Sequence, residues 1–187
     1  MRRILLLATV LFSPGILLAD SCRVPVFEAF ARPNMAGKLE TPSLQVEMQP
    51  VAHLKIPAGF SRIAALPNGS IGFGQHAKGI SAIIGFETES SISIHKNGAK
   101  PGPFLLSIFK GLDSDGCHYL QGYQLESEDY RLHANLGGTA ELFAYGKGKR
   151  HQFYLIRHDK PDFVLTGLFK NISRADFESI LASLSVD

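Results

Sequence analysis

The chain has 187 residues, with 19 lysines and arginines against 17 aspartates and glutamates and a hydrophobic share of 45%. That length and apolar content point to one domain large enough for a proper core, and the sequence holds no internal repeat or low-complexity segment. The near-neutral balance excludes nucleic acid as the expected partner, because phosphate binding needs a basic footprint.

Residues 1–19 read as a secretory signal peptide. Arg2 and Arg3 form a positive n-region, Ile4 to Leu18 is apolar and is broken by Pro14-Gly15, and Ala19 offers a small residue for cleavage. The apolar stretch falls short of the roughly 20 residues that a membrane span needs. Without Arg2 and Arg3, 17 basic residues face 17 acidic ones, so the exported chain carries no net formal charge with histidine neutral. The expected location is periplasmic or secreted.

Cys22 and Cys117 are the only cysteines. An even count in an exported chain favours a disulfide, here closing a loop worth up to about 4–5 kcal/mol in the chain-entropy model. A lipid anchor on Cys22 is the alternative, although Asp20-Ser21 directly before the cysteine suits it badly.

Residues 20–43 read as an irregular arm punctuated by Pro25, Pro33, Gly37 and Pro42, and residues 44–187 as one α+β domain. Leu44, Val46 and Met48 alternate with polar neighbours and predict a strand, followed by a short one over His53–Ile56. Pro67-Asn-Gly-Ser70 is a turn signal, before paired strands over Ile71–His76 and Ile80–Glu87 and a further strand over Ser91–His95. Pro103 then opens an amphipathic helix over Phe104–Leu112, with Gly111 near its end. Strands are predicted over Cys117–Leu125 and Tyr130–Ala134. A hairpin of Ala140–Tyr145 and His151–Arg157 follows around Gly146-Lys-Gly-Lys149, and then a strand over Phe163–Phe169. Ser173 as N-cap, Asp176 three residues on, and an apolar stripe of Phe177, Ile180, Leu181 and Leu184 predict a C-terminal helix. The expected fold is therefore α+β: a mainly antiparallel sheet flanked by a middle helix and a C-terminal helix.

Leu54-Lys-Ile-Pro-Ala-Gly-Phe60 ahead of a run of strands resembles the opening of Mog1/PsbP/DcrB-like domains, and the late hairpin, long strand and closing helix are similar to that family's end. The resemblance spans residues 44 to 185. It implies a sheet flanked by helices and, usually, a non-catalytic role in binding or assembly. No site residue carries over from it.

Motifs for chemistry are missing: there is no Gly-x-Ser-x-Gly, phosphate-binding loop, His-Glu-x-x-His or Cys-x-x-Cys. Of seven histidines, His151 and His158 lie an odd distance apart on one predicted strand and so face oppositely, while His133 shares a face with Arg131. Neither arrangement gathers metal donors, and neither a metal nor a cofactor is expected. Asp113, Asp115, Cys117 and His118 form the densest cluster. It reads as a turn plus a disulfide, with a partial calcium loop or a thiol nucleophile as rivals. Asn68-Gly-Ser70 and Asn171-Ile-Ser173 are glycosylation sequons that turn and cap chemistry already explain.

The hairpin tip stands out. Lys147, Lys149, Arg150 and His151 lie between Tyr145 and Phe153-Tyr154, a basic, aromatic-flanked projection suited to an acidic partner. The expected function is a non-enzymatic exported domain that binds another exported protein through Tyr145, Lys147, Lys149, Arg150 and His151. A periplasmic immunity protein against a secreted toxin and a hydrolase with a dispersed site, built around His118 or His133, are the alternatives.

Overall fold

The computed structural model describes residues 23–31, 43–57, 60, 62–92, 98–112 and 119–186. Residues 1–19, expected as a signal peptide, lie outside the described residues, as do Cys22 and the cluster of Asp113, Asp115, Cys117 and His118.

The period-two runs become strands because alternation puts every second side chain into a core. β2 (Ser43–Met48) buries Val46 and Met48, and β3 (Ala52–Pro57) buries Ala52, Leu54 and Ile56; the two pair as a separate antiparallel ribbon. The main sheet has eight strands. Besides β1 (Glu28–Ala29), they are β4 (Arg62–Ala65), β5 (Ile71–Gln75), β6 (Ile80–Glu87), β7 (Tyr130–Leu136), β8 (Ala140–Lys147), β9 (Arg150–Arg157) and β10 (Val164–Lys170). Their order is β1-β7-β8-β9-β10-β6-β5-β4. All neighbours are antiparallel except β1, which runs parallel to β7. The late meander β7 to β10 is thus extended by the earlier meander β4 to β6, joined through β6 and β10. β1 and β4, short and mostly without apolar alternation, are strands that periodicity does not announce.

Two cores sandwich this sheet. On one face the β2–β3 ribbon and α3 (Arg174–Ala182) cover Leu142, Phe153, Leu155, Leu165 and Phe169. On the other, α2 (Pro101–Lys110) lays Phe104, Leu105, Ile108 and Phe109 on Phe143, Tyr154, Ile156 and Val164. β8 and β9 are consequently buried on both faces, which explains their nearly continuous apolar runs.

Both long helices form where expected. α2 starts two residues before the Pro103 signal and is closed by Gly111 in the left-handed region at φ 62°, where a residue without Cβ sits at least cost. α3 begins at Ser173, whose Oγ accepts the Asp176 N–H at 3.1 Å. Its C-terminal end is clipped to β3 by the bridge between His53 and Ser185 and by Lys55 N–H donating to Ser183 Oγ at 2.9 Å.

Two expected strands are helical over their described residues. Over the described part of Cys117–Leu125 the chain makes a helical turn at 119–120 and 3-10 turns over Gln121–Tyr123 and Leu125–Ser127. Tyr119 and Tyr123 share a strand face but are also four apart, and the helical spacing prevails because both rings, with Leu120 and Leu125, pack into the core under α2. In the expected strand from Ser91, Glu89–Ile92 form a single helical turn, α1. Thr88 N–H donates to Ser91 Oγ at 2.8 Å, and Ser91 Oγ donates to Glu87 Oε2 at 2.7 Å, a local alternative to a ladder. Residues 93–95 lie outside the described residues.

Candidate interaction surface

The β8–β9 hairpin forms where expected, but it is not a free projection. Gly148 N–H donates to Asp129 Oδ2 at 2.7 Å and Asn171 N–H donates to the Lys149 carbonyl at 2.8 Å, so the turn is held from both sides. Alternation along the strands then sorts the five expected contact residues. Tyr145 points into the core under α2 and is 2% exposed, while His151 points to the other face and is wholly buried. Lys147, Lys149 and Arg150 remain on the surface.

Register enlarges what those cations belong to. Residues directly opposite in an antiparallel ladder share a face. Lys147 is opposite Arg150, Arg150 opposite Lys170, Lys170 opposite Ser81, Ser81 opposite Gly74, and Gly74 opposite Arg62. At one inter-strand spacing per step, Lys147 and Lys170 are roughly 10 Å apart and Arg62 closes the row roughly 24 Å from Lys147. The row lies on the face that α2 covers, but at the far end from α2. The adjacent rung of that face carries Gln152, Leu168, Ile83, Gly72 and Ala64 in register. Ile83 is 47% exposed and Ala64 is exposed, so an apolar, glycine-floored strip runs beside the cations.

Adjacent like charges on one sheet face repel, by up to about 1 kcal/mol a pair. Compensation is sparse. Glu128 Oε1 meets Arg150 Nη1 at 3.4 Å, and its Oε2 is buried without a partner among the described residues. Among the described residues no carboxylate forms an ion pair with Lys147, Lys149 or Lys170. The row therefore presents a positive field, offset only in part by Glu128 at Arg150, next to apolar surface.

Two further polar clusters lie inside the fold. Glu141 on β8 is 4% exposed. Lys110 Nζ from α2 donates to its Oε1 at 2.7 Å, His133 Nε2 from β7 to its Oε2 at 2.9 Å, and His158 Nε2 lies 3.5 Å from Oε1. Burial would raise the Glu141 carboxyl, but the bonds from Lys110 and His133 outweigh it and hold it below its ordinary value. Among the described residues no three His, Cys, Asp or Glu side chains are arranged to hold a metal ion. The cluster bolts α2 to the sheet. Replacing Glu141→Gln should cost about 1–3 kcal/mol in urea unfolding at pH 7. Because the folded carboxyl titrates below its reference of 4.5, the wild-type advantage is complete above that pH and fades as pH falls through the folded value. An equal gap at pH 7 and pH 3 would contradict the assignment.

The second cluster is His151. Its Nε2–H donates to the Ile172 carbonyl at 3.2 Å, which leaves Nδ1 to accept from Tyr130 Oη at 2.7 Å. Burial lowers the imidazole and raises the phenol, so both stay neutral. Each ring nitrogen has a partner and the ring stacks on Phe177, leaving no atom to act on a substrate.

No family model, curated protein or solved structure matches this chain.

Among the described residues no helix is long and apolar enough to cross a membrane. The sequons sit in turn and cap chemistry: Asn68 Oδ1 accepts the Ser70 N–H at 3.2 Å, and Asn171, at φ 62°, donates from Nδ2 to the Gly79 carbonyl at 2.8 Å. Sequence reasoning missed Lys170 and Arg62 because cross-strand register is not written locally, although Lys170 directly follows the apolar run of β10. It also missed that His133 and His158 converge on Glu141. A glutamate inside the apolar run of β8 was the available signal.

Proposed function

We propose that this chain is an exported, non-enzymatic domain that binds an acidic protein outside the cytoplasm through the basic row of Lys147, Arg150, Lys170 and Arg62. The observation that carries the reading is the register that aligns these cations on an uncovered sheet face beside Ile83 and Leu168. Export rests on the signal-like residues 1–19, and the binding role agrees with what the resemblance to Mog1/PsbP/DcrB-like domains implies. Aligned cations steer an acidic partner to the surface and fix its orientation, while the apolar strip supplies the desolvation that slows release. Lys149, at the turn, widens the positive field without joining the row.

The test is a pull-down from periplasmic extract with the mature chain, followed by affinity measurement on the acidic protein retained. Reversal of Lys147, Arg150 and Lys170 to glutamate should weaken binding about a hundredfold or more at low salt, and raised salt should weaken the wild-type complex in parallel. Full affinity in the reversed variant removes this face from consideration.

A further inference from the structure

The sheet ends on β4, and that edge has an orientation that can be worked out. Leu66 N–H donates to the Ser70 carbonyl at 2.8 Å. Hydrogen-bonded and non-bonded pairs alternate along an antiparallel ladder. In the register that pairs Ala65 with Ile71, Ala64 with Gly72, Ile63 with Phe73 and Arg62 with Gly74, the inward peptide bonds belong to Ala64 and Arg62. The N–H and C=O groups of Ile63 and Ala65 therefore point away from β5, and among the described residues no strand receives them. All four β4 side chains are exposed, Ile63 at 57%. Edges are guarded by shortness, charge, prolines or bulges. β4 is only four residues long and carries the charge of Arg62, which disfavours a cationic strand, but it holds no proline or bulge.

We infer that β4 accepts an extended acidic segment of the partner as a ninth strand. The side-chain pattern sets its chemistry. Arg62 and Ala64 lie on the face with the basic row, and Ile63 and Ala65 on the opposite face beside Phe73. An added strand would place a carboxylate opposite Arg62 and an apolar residue opposite Ile63, so an alternating acidic–apolar sequence fits. Backbone pairing supplies affinity and this alternation supplies selectivity. The inference rests on the proposed function, since Arg62 is the last member of the basic row.

The edge orientation also supplies a clean variant. Proline at residue 65 or 63 deletes an outward N–H and leaves the β4–β5 ladder intact, and proline is tolerated on edge strands. The probe is an eight-residue peptide alternating glutamate and valine, with an alternating lysine–valine peptide and a scrambled glutamate–valine peptide as controls, read by fluorescence anisotropy on the mature chain. The alternating acidic peptide should bind at least about tenfold more tightly than either control. Ala65→Pro and Ile63→Pro should each lose about tenfold with an unchanged melting temperature, and the Ile63 and Ala65 amides should gain hydrogen-exchange protection in the wild-type complex. If a proline variant unfolds, the exchange measurement on wild type decides. Wild-type affinity in folded proline variants, or unprotected amides, overturns strand addition. The reversal of Lys147, Arg150 and Lys170 then judges the basic face separately. Concentration-dependent dimers abolished by Ala65→Pro would assign the edge to a second copy and overturn the acidic-partner inference.

Discussion

Phe109→Ala should remove about 3–5 kcal/mol of folding stability, a large share of the 5–15 kcal/mol typical of a domain. Phe109 is 2% exposed and is the hub of the core beneath α2. Its ring lies 5.0 Å from Phe143, nearly stacked, 5.1 Å from Tyr154, 5.4 Å from Tyr123 and 6.1 Å from Phe27. Truncation loses the transfer energy of the ring and leaves a cavity walled by other rigid rings, which relax poorly into it. Edge and stacked ring contacts add about 0.5–1.5 kcal/mol beyond area. Phe109→Leu, which refills part of the volume, should cost roughly half as much. Guanidinium unfolding of the chain lacking residues 1–19 reads both values. A loss under about 1.5 kcal/mol for the alanine variant would mean that α2 is not anchored here, and the division of the molecule into two cores would have to be abandoned.

His151→Ala should cost about 3–5 kcal/mol, because three losses coincide: the stacking ring at 5.0 Å from Phe177, a donor to Ile172 and an acceptor for Tyr130. Tyr130→Phe, removing one hydroxyl, should cost about 1–2 kcal/mol. The neighbouring strand packs closely here, since a Cβ on Gly146 would stand 2.8 Å from Tyr130 Oη and 2.7 Å from the Arg150 carbonyl. Burial holds the folded imidazole below its reference of 6.5. The unfolded chain then binds the proton more readily, so stability is fully present above pH 6.5 and declines as pH falls below it toward the folded value. Thermal unfolding between pH 7.5 and 5 should show this decline in the wild type and a flatter profile in His151→Gln, which lacks the titrating ring. Equal slopes would refute the buried neutral imidazole.

These two clusters also show what local pattern does and does not reveal. The apolar stripe of α3, the proline and glycine bounding α2, and the alternation of β2, β3 and β7 depend on neighbours within a few residues, and each element forms near its predicted place. The segment from Tyr119 to Leu125 defeats such reading because tyrosines four apart satisfy both periods until α2 supplies a surface for one of them. Tyr145 and His151 were expected at the hairpin tip because of their nearness in sequence to Lys147 and Lys149. Alternation sends both inward, to opposite cores, so the aromatic half of that surface is absent and the cationic half stays.

Residues alone determined that this is an α+β chain with a mainly antiparallel sheet, two flanking helices and a basic turn, because propensity, capping and period are local properties. Tertiary structure decided which strands are neighbours. Pairing β10 with β6 places Lys170 between Arg150 and Ser81, and pairing β5 with β4 carries the row on to Arg62. Residues up to 108 positions apart thereby share one face. Loop-closure cost grows only slowly with separation, so distant strands join wherever their buried faces fit. No local signal in β10 or β4 announces the neighbour it will meet.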